Sequence, residues 1–400
     1  MTKKYTEELE RGYSVSTVME EAQRCLLCYD APCSKACPAG TDPAKFIRSV
    51  RFRNFKGAAE TIRINNALGA VCARVCPTER YCESGCSRCG IDKPIDIGGI
   101  QRFVTDFEAA CGMKVLEKGA ANGKRIAVIG SGPAGLQAAA TLLQLGYEVE
   151  IYEKADRAGG FLRTIPEYRL PETVVDGEIE RIVALGAVIH CGVDVDKAKF
   201  EELKAGFDAV LVATGVRKAM ILDLFQGNPN VVSAVDLLTE IRSKHGEMKV
   251  PESALVLGGG DSAMDAATTL KMLGVKDVIE VTRNEFRASD AEKATAHEMG
   301  VITIGGYTPA AVDGKTVTFK HSRLNSELKI EAELIVVALG QNIDNELGLP
   351  VERNEVVAEG TSVDGKVFVA GDIAKGDKTV VAAVNKGKLA AYEIHNRIGG

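Results

Sequence analysis

The hydrophobic pattern of this chain changes character once, close to residue 120. Before that point apolar positions come in short groups, broken by Pro and Gly and poor in β-branched runs. Thr17-x-x-Glu20 reads as a capping box for a helix that runs into Cys25. Asp42-Pro43 reads as an N-cap and first helical residue, after which Phe46, Ile47 and Val50 recur on one face. The pattern predicts small helices over residues 1–120, closed by a linker from Gly119 to Lys124.

From Arg125 the rhythm becomes strand, glycine loop, helix, strand. Ile126-Ala127-Val128-Ile129 ends in Gly130-Ser131-Gly132-Pro133-Ala134-Gly135, an Ala/Leu-rich helix runs to Leu145, and 149–153 reads as a second strand. The order returns at Leu255-Val256-Leu257, with the loop Gly258-Gly259-Gly260-Asp261-Ser262-Ala263, a helix to Leu273 and a strand from Val278 to Thr282. Two further apolar runs, ending at Gly215 and Gly340, read as crossings between domains. The chain closes with a strand into Gly371-Asp372, a polar loop and a helix from near Thr379 and Val380. The expected fold is α/β with an all-α N-terminal domain. A helical domain at 1–120 is followed by two Rossmann-like dinucleotide-binding domains, one at 121–218 and 342–400, the other at 219–341 inserted in it.

The first loop carries specific chemistry because of its context. Gly130 permits the tight turn, Gly132 lets backbone N–H groups approach a pyrophosphate, and Gly135 allows close helix–strand packing, with Pro133 and Ala134 opening the helix. Glu153, ending the second strand, is placed to accept from a ribose hydroxyl, and the loop at Gly160 is expected against the adenosine side of a flavin nucleotide. Asp372 can bond a ribityl hydroxyl, and the helix start at Thr379 and Val380 can put its positive end by the flavin pyrimidine edge. The second loop, Gly258, Gly260, Asp261, Ser262 and Ala263, suits a nicotinamide nucleotide, and Gly340 at the end of its apolar run is a further candidate contact. Arg283 stands where Glu153 stands in the first unit and could pair with the 2′-phosphate of NADP(H). Glu285 would repel that phosphate, so NAD(H) is preferred and NADP(H) is not excluded.

Composition then narrows the chemistry. The 400 residues carry a net charge of −6, with 46% hydrophobic and 26% charged residues, which is ordinary for a globular protein and offers no basic patch for nucleic acid. No long apolar stretch or apolar leader core stands out, so a cytoplasmic protein without a membrane partner is expected, with reduced cysteines. Of 11 cysteines, nine lie between residues 25 and 89, as Cys25-x₂-Cys28-x₄-Cys33-x₃-Cys37-Pro38 and Cys72-x₃-Cys76-Pro77-x₄-Cys82-x₃-Cys86 with Cys89 behind. Runs ending in Cys-Pro point to iron–sulfur ligation, with the metal standing in for part of a small domain's core. Zinc is the competing metal, though no His precedes His190. Eight thiols would fill two four-ligand clusters, so a ninth is spare or a different residue ligates. No cysteine pair stands by Gly159-Gly160 or in the second nucleotide domain, so flavin electrons have no thiol exit and the clusters remain. Cys111 and Cys191 stand alone and are expected as buried apolar fillers.

These residues resemble a known family. The stretches from Cys25 to Pro38, Cys76 to Cys86 and Pro94 to Gln101, with Ile165–Pro171, Gly258–Asp265 and Ala370–Asp372, are similar to the N-terminal part of dihydropyrimidine dehydrogenases. The likeness runs nearly the whole chain and is strongest to the flavin- and NAD-binding electron-input subunits of the bacterial two-subunit, NAD-dependent enzyme. The wider family includes the small subunit of glutamate synthase. The resemblance implies FAD and two [4Fe–4S] clusters, one on Cys25, Cys28, Cys33 and Cys86, the other on Cys37, Cys76, Cys82 and Gln101, leaving Cys72 and Cys89 spare. It also implies Arg169 near flavin and cluster. The family's pyrimidine site lies in an FMN barrel that these residues do not contain. An FMN-containing iron–sulfur partner subunit in a two-plus-two heterotetramer is therefore expected, taking NADH electrons to uracil or thymine. A glutamate synthase or ferredoxin-linked partner, or a zinc-stapled nucleotide sensor, are the alternatives.

Overall fold

The short apolar groups near the N-terminus fold as α-helices at Val15–Gln23, Pro32–Ala36, Pro43–Arg51, Phe55–Asn65, Gly69–Val75 and Ile97–Ala110. Phe46, Ile47 and Val50 are buried with Val18, Ile62 and Ile100 in one cluster, and Asp42 caps its helix by accepting from Lys45 N at 3.1 Å. The first helix corrects one expectation. Its N-cap is Ser14, not Thr17; Ser14 Oγ accepts from Thr17 N, and Thr17 Oγ1 accepts from Ser14 N at 2.9 Å. The box is closed by a Thr hydroxyl at the third helical position, so the helix starts three residues before the Thr17-x-x-Glu20 signature.

The computed structural model describes residues 4–399, which divide into two units. The first comprises Glu10–Leu162, Glu172–Val216 and residues 343–399. Its parallel sheet runs in the order Val367–Val369, Ala209–Val212, Arg125–Ile129, Glu148–Glu153, Val188–Cys191. The stretch Gly119–Lys124 is pinned rather than loose: Gly119 N donates to Leu143 O and Asn122 N to Gly146 O, both at 3.0 Å. The helices Pro133–Gln144 and Val380–Ile398 pack so closely that a Cβ on Gly387 would lie 2.1 Å from Ala134 O.

The helical block joins this sheet through buried ions. Arg63, 1% exposed, contacts Glu108 at 2.7 Å and Glu178 at 2.6 Å, and Arg181 reaches Glu108 at 2.8 Å. Glu178 also accepts from Ala70 N at 2.8 Å, which fixes the start of Gly69–Val75. Charges this deep persist only when paired.

The second unit comprises residues 4–9, Arg163–Pro171 and Arg217–Asn342. Its parallel sheet runs Val231–Ser233, Leu334–Val337, Ser253–Leu257, Asp277–Thr282, Ile302–Gly305. An antiparallel sheet, Tyr307–Asp313, Thr316–His321 and Glu327–Glu331, completes it. Among the described residues no helix is long and apolar enough to cross a membrane.

Candidate redox site

The first unit gathers the cysteines into two groups. Cys25, Cys28, Cys33 and Cys86 line one cavity together with Ile47, Ile95 and Ile97. Burial pushes the Cys25 and Cys33 thiols up, and the neighbouring thiols push further. The second group is Cys37, Cys72, Cys76 and Cys82. Burial raises Cys76 and Cys82, Cys37 adds to both, and burial pushes Cys72 up to about 12 against the opposing Asn66 amide. All of these cysteines are free of disulfides. Crowded thiols, half-buried or buried as these are, ionise together most readily when a cation neutralises them, so the donor set fits a metal cluster.

Gln101 lies on Ile97–Ala110 and its Nε2 donates to Gly69 O at 2.8 Å. That leaves Oε1 as the uncommitted end of the amide. The structure also brings Cys72, 3% exposed, into the second group, although the resemblance leaves it spare. Cys89 is exposed and donates weakly to Glu83 O. Cys111 and Cys191 are exposed, not buried fillers. Cys111 caps the end of its helix and Cys191 ends an edge strand, positions where the chain turns to solvent.

The first glycine loop has the geometry its sequence requires. Gly130 has φ +102°, and a Cβ there would sit 2.5 Å from Ala213 O. Gly132 is the N-cap of Pro133–Gln144 without a side-chain cap bond, and nothing lies within 4 Å of its Cβ position. Unsatisfied N–H groups facing open space are what a pyrophosphate needs. Glu153 is buried and braces the loop: Oε2 accepts from Ser131 N at 2.9 Å and from Ser131 Oγ at 2.5 Å, and Oε1 from Ala155 N at 2.9 Å. Gly160 backs directly onto Gly132. Asp372 follows Gly371, whose own Cβ position is 3.1 Å from Ala134. Burial raises the Asp372 carboxyl while Lys386 and Lys378 oppose it. Thr379 is the N-cap of the last helix, which begins at Val380, and accepts from Ala382 N.

The second unit holds the other loop. Gly258 has φ +152° and Gly260 is a second uncapped N-cap with open space at its Cβ position. Asp261 is turned inward to accept from Ser289 N at 2.8 Å, Ser262 is half-buried and Ala263 is buried. Gly340, exposed with φ +108°, accepts from Met220 N. Arg283 and Glu285 are both exposed at the end of their strand.

Arg169 is committed within this unit. Its Nη1 lies 2.7 Å from both Asp265 oxygens and its Nη2 2.5 Å from Glu292 Oε1. Burial alone would lower the guanidinium, but the two carboxylates carry it upward. Burial, with Asp265 and Asp261 nearby, pushes Glu292 up to about 7 despite Arg169. Asp265, Glu280 and Glu292 were not singled out from sequence. Glu280 interrupts the apolar strand Asp277–Thr282, and Asp265 follows Asp261 by four residues on one helix face. Those two irregularities were the available signals.

The domain pair defines an oxidoreductase. Residues 2–113 match the family described as dihydropyrimidine dehydrogenase domain II, 4Fe-4S cluster, and residues 124–387 match pyridine nucleotide-disulphide oxidoreductase. FAD, iron–sulfur and NAD(H) are the cofactors this pair of domains carries. More narrowly, the chain belongs to the family of bacterial NAD-dependent dihydropyrimidine dehydrogenase subunits. It is 52% identical over 404 residues to "NAD-dependent dihydropyrimidine dehydrogenase subunit PreT" of Escherichia coli K12, covering 99% of this chain and 98% of that one. The glutamate synthase [NADPH] small chain of Azospirillum brasilense is 31% identical across 97% of this chain and 90% of its own. Among solved structures, T. acidophilum thioredoxin reductase aligns with a TM-score of 0.56 at 18% identity, covering 69% of this chain and 100% of that one, a likeness of fold.

Proposed function

We propose that this chain is the NADH-oxidising electron-input subunit of a cytoplasmic dihydropyrimidine dehydrogenase. It passes electrons to an FMN-containing iron–sulfur partner that reduces uracil or thymine to the 5,6-dihydropyrimidine, in a two-plus-two heterotetramer. Residues 1–120 hold two [4Fe–4S] clusters, 121–218 and 342–400 hold FAD, and 219–341 hold NADH. When bound, FAD takes up a hydride and gives electrons singly, and the clusters relay them.

The observation that carries the reading is the folding of two thiol groups into the same unit as an open flavin-type loop. Cys25, Cys28, Cys33 and Cys86 would hold one cluster, and Cys37, Cys76, Cys82 and the free oxygen of Gln101 the other. Gly130, Gly132, Gly135 and the N–H groups from Ala134 onward would hold the flavin pyrophosphate, with Glu153 keeping the loop in shape. Asp372 and the helix start at Thr379 would meet the ribityl chain and ring. In the second unit Gly258, Gly260 and Ala263 would seat the nicotinamide nucleotide, with Arg283 at its adenosine end.

Mixing the purified chain with an FMN subunit and NADH is expected to reduce uracil, followed by loss of uracil absorbance. Glutamate formation with a glutaminase-type partner, and no uracil reduction, would overturn the choice of partner.

A further inference from the structure

Lys388 is the one lysine in the buried set of the described residues, at 9% exposure. Its ammonium donates to Ala39 O, two residues beyond Cys37. No carboxylate of the described residues pairs with it, and the ionisable side chain that acts on it is Cys37. A buried cation without an anion is costly, so a counter-charge belongs beside it. The helix that carries it supplies a second fact. Gly387, the preceding residue, abuts Ala134 of the flavin-type loop, with its Cβ position 2.1 Å from Ala134 O. Two consecutive residues of the C-terminal helix thus touch the flavin loop on one side and the Cys37 loop on the other. Tyr81, next to Cys82, makes a parallel tie to the head of this helix through Asp377.

We infer that Lys388 is the counter-cation of the cluster bound at Cys37, setting its reduction potential and holding it in register with the flavin loop. A cysteinate-ligated cluster is anionic and gains one negative charge on reduction, with no bond or proton changing place. A fixed ammonium favours the reduced state and draws electrons from the flavin side. The inference deepens the proposed function and rests on it. Lys388 would act through the field it places on the cluster, as a positioning residue.

The test is an anaerobic redox titration followed by electron paramagnetic resonance on the purified chain, comparing wild type with Lys388→Gln and Lys388→Met. Gln keeps a hydrogen-bond donor for Ala39 O without the charge; Met removes both. One cluster is expected to become harder to reduce by at least about tenfold, about 59 mV for one electron, in both variants, with the other cluster and the flavin content unchanged. Loss of iron from one cluster alone, with flavin retained, would also support a counter-charge needed for its assembly. Wild-type potentials in Lys388→Gln would overturn the inference, as would joint loss of flavin and all iron in both variants, which marks a purely structural tie. Absence of iron and sulfide from the unaltered chain would instead remove the functional reading beneath it.

Discussion

Glu280 has no exposed surface, and neither of its carboxylate oxygens finds a hydrogen-bond partner. Burial, helped by Asp265, pushes it up to about 8. An acid raised in the folded state keeps a proton that the unfolded chain has released. Its contribution is therefore present at low pH and is lost as pH rises from the ordinary carboxyl value towards 8. The slope approaches about 1.4 kcal/mol per pH unit in that window. Glu280→Gln is expected to flatten the fall, most clearly above about 7 where Glu292 has titrated, in urea unfolding measured across the range. An unchanged pH profile would show that Glu280 is not the titrating group. Gln101 poses the other residue-scale question, because Cys72 lies in the same group. Gln101→Leu is expected to lower iron and sulfide by about half, one cluster of two, while flavin stays bound; Cys72→Ser is expected to leave both. The reverse pattern would make Cys72 the ligand. The sequence showed every cysteine and Gln101 by name. The shared burial of Cys72, and the exposure of Cys111 and Cys191, depend on tertiary placement that spacing does not encode.

At the scale of elements, glycines set how closely the helices approach. The first and last helices of the flavin-type domain meet at Gly387, where an added methyl would press on the Ala134 carbonyl, a backbone atom that cannot swing aside. Gly387→Ala is expected to cost about 1–3 kcal/mol of stability, as overpacking does, and to lower flavin occupancy, read by chemical unfolding and by flavin absorbance. Unchanged stability would mean that the helices are free to separate. Both glycine loops and their following helices were legible because each needs a φ or a close approach that only glycine provides at Gly130 and Gly258. The first helix start lies outside the usual signature because a Thr hydroxyl closes the box where Glu or Gln is the common partner. The antiparallel sheet of Tyr307–Asp313, Thr316–His321 and Glu327–Glu331 left little pattern, since only Val317, Phe319 and Ile330 are buried in it and no continuous apolar run marks its strands.

For the whole molecule, the electron-input role depends on a flavin loop and two thiol groups sharing one folded unit. The buried Arg63, Glu108 and Glu178 ions and the Lys388 contact bind the helical block to the flavin sheet. No local motif foretold these ties, because their partners lie far apart in sequence. Anaerobic purification followed by iron, sulfide, zinc and flavin analysis tests the account most directly. The prediction is about eight iron and eight sulfide per chain, as two four-iron clusters require, with one flavin and no zinc. Zinc in place of iron, with no acid-labile sulfide, would contradict it.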